Sequence, residues 1–192
     1  SLDRVRLQAG TNASAISQTA IWMAGHERAQ EARDWLAKLP ADLHNTLPLP
    51  IVEADCLVAL RDWPTLEKLL QEQKWKDFDF LRYAYRSLAA EKSGGGLSVE
   101  GHWRSAVREA GERLGALTTL LTLADKWSRE PDKDDLLWRI ANRFPGEKWA
   151  PRELGRLYLA AGNTRGLNKL YGAMLNSDPN NLLHKNNLAA TS

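Results

Sequence analysis

In 192 residues the chain has one cysteine, two methionines, three phenylalanines and four tyrosines. Each shortage excludes something. With Cys56 alone there is no intrachain disulfide framework and no multi-cysteine metal site. Its neighbours Leu57 and Ala59 make it a core thiol, with no nearby histidine to activate it as a nucleophile. Charge of one sign is also lacking: 26 lysines and arginines face 24 aspartates and glutamates, a net charge of +2 at neutral pH. The two signs are interspersed, so no field favours nucleic acid or an anionic membrane. No apolar run approaches the length of a membrane span, and no signal peptide opens the chain. The 13 glycines and 8 prolines are scattered as punctuation and form no linker, so no internal domain boundary is expected and 1–192 reads as a single domain.

Catalytic and metal-binding patterns are absent as well. His26, His44, His102 and His184 are isolated, and none has the spacing of a metal ligand pair. Asp132, Asp134 and Asp135 lack the glycine and the distant glutamate of a calcium loop and read as first-turn carboxylates facing a helix dipole. Gly94-Gly95-Gly96 lacks the lysine and the preceding strand of a phosphate loop and reads as a turn between helices. Asn12-Ala13-Ser14 matches a glycosylation acceptor, a three-residue pattern common by chance. The expectation is a chain with no enzymatic activity, no metal and no cofactor.

What is present is helical periodicity. Hydrophobic residues make up 43% of the chain, enough for a continuous core. Segments with apolar residues at helical spacing run from Asn12 to Ala24, Glu27 to Leu39, Ile51 to Leu60, Thr65 to Gln73, Asp77 to Glu91, Val99 to Ala110, Leu114 to Trp127 and Asp132 to Phe144. Ala41 to Pro50 reads as a connection, and Pro64 fits the first turn of its helix. The fold class is therefore all-α. Eight tryptophans invite a reading as stacking platforms for single-stranded RNA, but such platforms need basic residues along the same groove. Trp35, Trp63, Trp103 and Trp138 read instead as packing residues.

From Lys148 onward, Leu154, Gly155, Tyr158, Gly162, Tyr171 and Pro179 fall at the spacings of a 34-residue helix-turn-helix repeat. Pro145 and Pro179 lie one such length apart. Leu154, Tyr158 and the small Gly155 share one helical face, where a missing side chain admits a second helix; Gly162 with Asn163 supplies a turn, and Asn163 or Thr164 caps the next helix. This resembles the tetratricopeptide repeat, as a divergent, bacterial-type member. Pro151 stands where the family has tryptophan, and Leu167 where it has alanine. Segments 114–147 and 148–181 match best, 182–192 opens a truncated repeat, and the upstream units have lengths of about 30 and 37 residues. Because Ser1 replaces a start methionine and the last helix lacks a partner, the chain is expected to be a fragment of a longer protein.

The resemblance implies a right-handed superhelical solenoid of about five antiparallel helical hairpins plus one unpaired C-terminal helix. It also implies a concave groove lined by first helices. The groove residues it points to are Phe78, Arg82 and Tyr85, then Thr118, Thr122 and Asp125, then Arg152 and Arg156, then Asn187. Arg152, Arg156 and Asn187 are similar in type and position to side chains that grip a peptide carboxylate in some members of the family. Exchange of Arg156 for alanine is then expected to weaken binding of an acidic C-terminal peptide by about tenfold or more. The competing reading pairs these arginines with Glu153 or Asp125 on a solvated face. The implied function is a noncatalytic scaffold for a protein or peptide partner, with no nucleic acid and no membrane segment. Self-association through Leu182, Leu183 and Leu188 is a further expectation, and a cytoplasmic setting is favoured. The alternatives are a substrate-recruiting or regulatory segment of a larger enzyme and, behind it, an RNA-binding helical repeat.

Overall fold

A computed structural model describes residues 2–178 and 182–191. Pro179, Asn180 and Asn181 lie outside the described residues, as do the side chains of Leu182 and His184. The described residues form thirteen α-helices and one 3-10 turn, with no strand. None of these helices is long and apolar enough to cross a membrane. The chain divides into two compact units, 1–109 and 110–192.

Unit 1 contains α1 (Leu2–Ala9), α2 (Ala13–Gly25), α3 (Ala29–Leu36), α4 (Ala41–His44), α5 (Leu49–Leu60), α6 (Trp63–Glu72), the 3-10 turn Lys76–Phe78, α7 (Asp79–Lys92) and α8 (Leu97–Ala110), which runs to the boundary. Two elements were not expected: α1, and the short α4 inside the segment read as a connection. Helices α2, α3 and α5 pack against one another, α5 against α6, and α6 against α7. Ile16, Ala20, Met23, Ala32, Leu36, Leu49, Val52 and Cys56 form the core of this packing. Each large aliphatic side chain buried there contributes roughly 1.5–3 kcal/mol.

Unit 2 contains α9 (Leu114–Lys126), α10 (Glu130–Arg143), α11 (Trp149–Ala160), α12 (Thr164–Ser177) and α13 (Leu182–Thr191). Each packs on the next from α9 to α12, and α13 packs on α12. Leu117, Leu120, Ala124, Leu136, Leu137, Ile140 and Leu154 are buried. Asn168 fastens α13, with its Nδ2 donating to the Thr191 carbonyl at 2.6 Å and its Oδ1 accepting from the Thr191 hydroxyl.

One turn recurs in both units. The amides of Arg28, Asp62, Gly95, Arg129 and Asn163 each donate to the carbonyl five residues earlier, on Met23, Leu57, Ala90, Ala124 and Tyr158, at 2.7–3.0 Å. The residue before each donor has a left-handed backbone: Glu27, Arg61, Gly94, Ser128 and Gly162, with φ between 56° and 76°. This is the six-to-one closure that ends a helix and reverses the chain. The left-handed residues at 27, 61, 94, 128 and 162 are separated by steps of 34, 33, 34 and 34. The period is thus kept from residue 27 to residue 162, and the upstream lengths of about 30 and 37 expected from sequence are corrected. At three of the five turns a non-glycine residue carries the positive φ, which is why glycine punctuation did not reveal them. Two turns lead straight into a side-chain cap, with Asp62 accepting from the Thr65 amide and Asn163 from the Gly166 amide.

Candidate functional site

The turns set a register that relates positions of one first helix to the next, but exposure does not follow it in α7, where Ala84 and Leu88 are buried. Counting back one repeat length from Thr118, Thr122 and Asp125 of α9 gives Ala84, Leu88 and Glu91 of α7. Phe78, Arg82 and Tyr85, the expected groove residues of that helix, are therefore out of register. The counterpart of Arg82 is Ala116, which is buried.

Arg82 and Tyr85 are buried, at 5% and 4% exposure, and offer nothing to a ligand. The Arg82 guanidinium donates through Nε and Nη2 to the two Asp79 oxygens at 2.8 and 3.2 Å, and through Nη1 to the Leu70 carbonyl at 2.9 Å. Asp79 also accepts the Trp75 amide at 2.7 Å. Burial pushes the Asp79 carboxyl up, but the hydrogen bonds from Arg82 and Trp75 outweigh it and hold the group below its ordinary value. The Tyr85 hydroxyl donates to Asp55. Burial, with the Asp55 charge beside it, drives that phenol well above its ordinary range. Phe78 remains exposed, its ring tilted against Phe80.

In unit 2 the structure brings two of the predicted residues, Asp125 and Arg156, within electrostatic reach of each other. Thr118, Thr122 and Asp125 follow one face of α9 by their spacing, and Arg152 and Arg156 are four apart on α11. The threonine hydroxyls donate back into their own helix, Thr118 to the Leu114 carbonyl at 3.0 Å and Thr122 to the Thr118 carbonyl at 3.1 Å. Asp125 accepts the Lys133 ammonium at 2.5 Å. That hydrogen bond, reinforced by the charges of Lys133 and then Arg156, lowers the pKa of its carboxyl. Arg156 holds Glu153 in a two-pronged contact of 2.8 and 2.6 Å, and this bond chiefly lowers the Glu153 pKa. Asp125, Lys133, Glu153 and Arg156 thus form a neutral cluster across α9, α10 and α11. Arg152 is exposed and makes no ion pair among the described residues. Asn187 is half-buried on α13, its carbonyl oxygen 3.0 Å from the Thr191 hydroxyl oxygen.

Sequence reasoning missed Lys133. The signal was there: Lys133 shares the apolar stripe of Leu137 and Ile140 and stands one repeat length before the buried Leu167. Its stem is buried while its ammonium reaches the Asp125 carboxylate.

The remaining titratable groups do not assemble a chemical site. No group of three or more metal-ligating side chains occurs among the described residues. Asp132 pairs with Arg129 at 3.0 Å, and Asp134 accepts the Tyr158 hydroxyl. His26 stacks on Trp22, His44 Nε2 lies 2.9 Å from a Glu53 oxygen, and burial lowers the pKa of His102. Burial pushes the Cys56 thiol up to about 12, so it is not a thiolate at neutral pH. No family model, curated protein or solved structure matches this chain.

Proposed function

We propose that this chain is a noncatalytic scaffold of the tetratricopeptide type that binds a protein or peptide partner on the outward face of its first helices. The observation that carries the reading is the helix-reversing turn that recurs at a nearly constant interval along the chain. A chain built as serial hairpins of one length buries each against its neighbours and leaves one face of each first helix free for a ligand. In unit 2 that face is the one bearing Thr118, Thr122, Arg152 and Arg156. Leu159, one repeat length after Asp125, adds a side chain that is 63% exposed. A neutral charge cluster, one unpaired arginine and one exposed leucine suit a peptide that carries an acidic group beside an apolar side chain.

The ion pairs reverse the order in which the two arginines matter. Arg156 already holds Glu153, so a ligand carboxylate has to displace an existing partner there. Arg152 is available without exchange. For an acidic C-terminal peptide, Arg152→Ala is expected to weaken binding about tenfold, in line with a charge-assisted hydrogen bond. Arg156→Ala costs less, because the cation it removes is already neutralised by Glu153. Isothermal titration of both variants with one peptide checks the order. Equal affinities for wild type and Arg152→Ala would remove α11 from the binding face.

A further inference from the structure

In unit 2 two positions mirror each other about each turn, one eight residues before the left-handed residue and one eight residues after it. They hold Leu120 with Leu136 about Ser128, and Leu154 with Leu170 about Gly162, all four buried at 2% exposure or less. About Gly94, where α7 turns into α8, the same two positions hold Arg86 and His102. We infer that Arg86 and His102 form a binding site for a phosphate group, free or as a monoester, with the guanidinium and the imidazole as its donors.

A position that elsewhere takes leucine accepts a polar or charged group at a cost unless a partner satisfies it. The other polar residues at these positions have one: Thr19 donates to the Ala15 carbonyl at 3.0 Å, and Glu53 lies 2.9 Å from His44. Arg86 and His102 make no ion pair and no hydrogen bond among the described residues. Both are half-buried, and neither has a nitrogen shut off from solvent, so an anion can reach the pair from outside. They also feel each other. Burial and then the Arg86 charge lower the pKa of His102, and no carboxylate is among the groups that shift it. The guanidinium thus opposes a proton on the imidazole, and an anion set against both groups reverses that opposition.

The pair is held before any ligand arrives. The Arg86 guanidinium carbon lies 5.8 Å from the centre of the Tyr83 ring, and that of Arg82 lies 4.8 Å from the same ring. Arg82 is itself fixed on Asp79 and the Leu70 carbonyl. Beside the pair, the Ser87 hydroxyl donates to the Val99 carbonyl at 2.8 Å and ties α7 to the start of α8. Such fixing lowers the ordering cost of binding. Phosphate suits the pair better than a carboxylate does. The guanidinium fork takes two oxygens, and a phosphate keeps a third for the imidazole N–H. Its second ionisation, at about pH 6, lets it bring up to two negative charges to two basic groups.

The test follows the imidazole signals of His102 in the full chain by NMR while inorganic phosphate, phosphoserine and acetate are titrated separately, at constant ionic strength set with sodium chloride. Saturable shifts with both phosphates are expected, and the pH midpoint of His102 moves up when either is bound. Tighter binding of phosphoserine assigns the ester, and tighter binding of inorganic phosphate the free ion. Arg86→Leu gives this position the residue that α9 and α11 carry there. That variant keeps its helical circular dichroism and raises the apparent Kd at least about tenfold. In His102→Leu the Arg86 Nε signal reports the same loss. No saturation with either phosphate, equal affinity for acetate, or unchanged affinity in both variants would each overturn the assignment.

Discussion

Replacement of Arg82 by alanine lowers the stability of unit 1 by about 3 kcal/mol, measured by urea unfolding. The figure follows from what the substitution leaves behind. The side chains of Arg82 and Asp79 are 7% and 19% exposed, so their pairing is largely shielded from water. Without the guanidinium, Asp79 keeps its charge in that setting with only the Trp75 amide as partner, and the Leu70 carbonyl loses its donor. Arg82→Lys restores one charge but not the three directed donors, and recovers less than half of the loss. The pH dependence gives a second, independent reading. In the folded state the Asp79 carboxyl titrates below its unfolded value of about 3.9. Its stabilising contribution is therefore complete above that value and disappears as pH falls through the lower folded one. Wild-type protein loses stability more steeply than Arg82→Ala between about pH 5 and pH 2. Parallel pH profiles would show that Asp79 is not held by Arg82.

Gly166 gives the second large effect, and Gly155 supplies its control. A methyl group on Gly166 would lie 2.9 Å from the Tyr158 ring carbon Cγ and 2.9 Å from the Asn163 side-chain nitrogen. Neither neighbour moves freely. Tyr158 is buried, donates to Asp134 and accepts from Trp138 Nε1, and Asn163 caps α12. Gly166→Ala therefore costs about 2 kcal/mol through overpacking, plus about 1 kcal/mol if the cap is displaced. On Gly155 the same methyl would meet only Leu170 Cδ2 at 3.5 Å, an ordinary contact. Gly155→Ala is then neutral or gains up to about 1 kcal/mol from helix propensity. Thermal unfolding of the two variants separates them. The sequence pattern singled out Gly155 as the residue that admits the second helix, but the close approach is at Gly166, near the start of that helix.

That exchange of glycines shows what could be read in the chain before its structure. The helices followed from apolar spacing because each buries one stripe, as with Leu117, Leu120 and Ala124. The cap of α12 followed from Asn163 standing directly after the glycine of the turn. The period did not follow upstream, because Glu27 and Arg61 carry the left-handed turn that Gly162 carries in the last hairpin. A charged residue in that conformation leaves no composition signal. The groove residues of α7 were misplaced for another cause: Arg82 and Tyr85 are polar residues whose burial rests on partners in other elements, the Leu70 carbonyl and Asp55, which spacing along α7 does not show. Pairing across helices was also hidden. The link between Lys133 and Asp125 joins side chains on two helices, and Gln73 after α6 reaches Asn45 after α4.

Hydrogen exchange at the five turn amides tests the repeat most directly, since the proposed scaffold rests on that turn recurring in register. Arg28, Asp62, Gly95, Arg129 and Asn163 are each expected to exchange at least about a hundredfold more slowly than in an unstructured chain, because each amide is bonded to a carbonyl five residues back. Protection at 129 and 163 alone, with 28, 62 and 95 exchanging at unstructured rates, would confine the hairpin to unit 2 and contradict a repeat that runs through the chain.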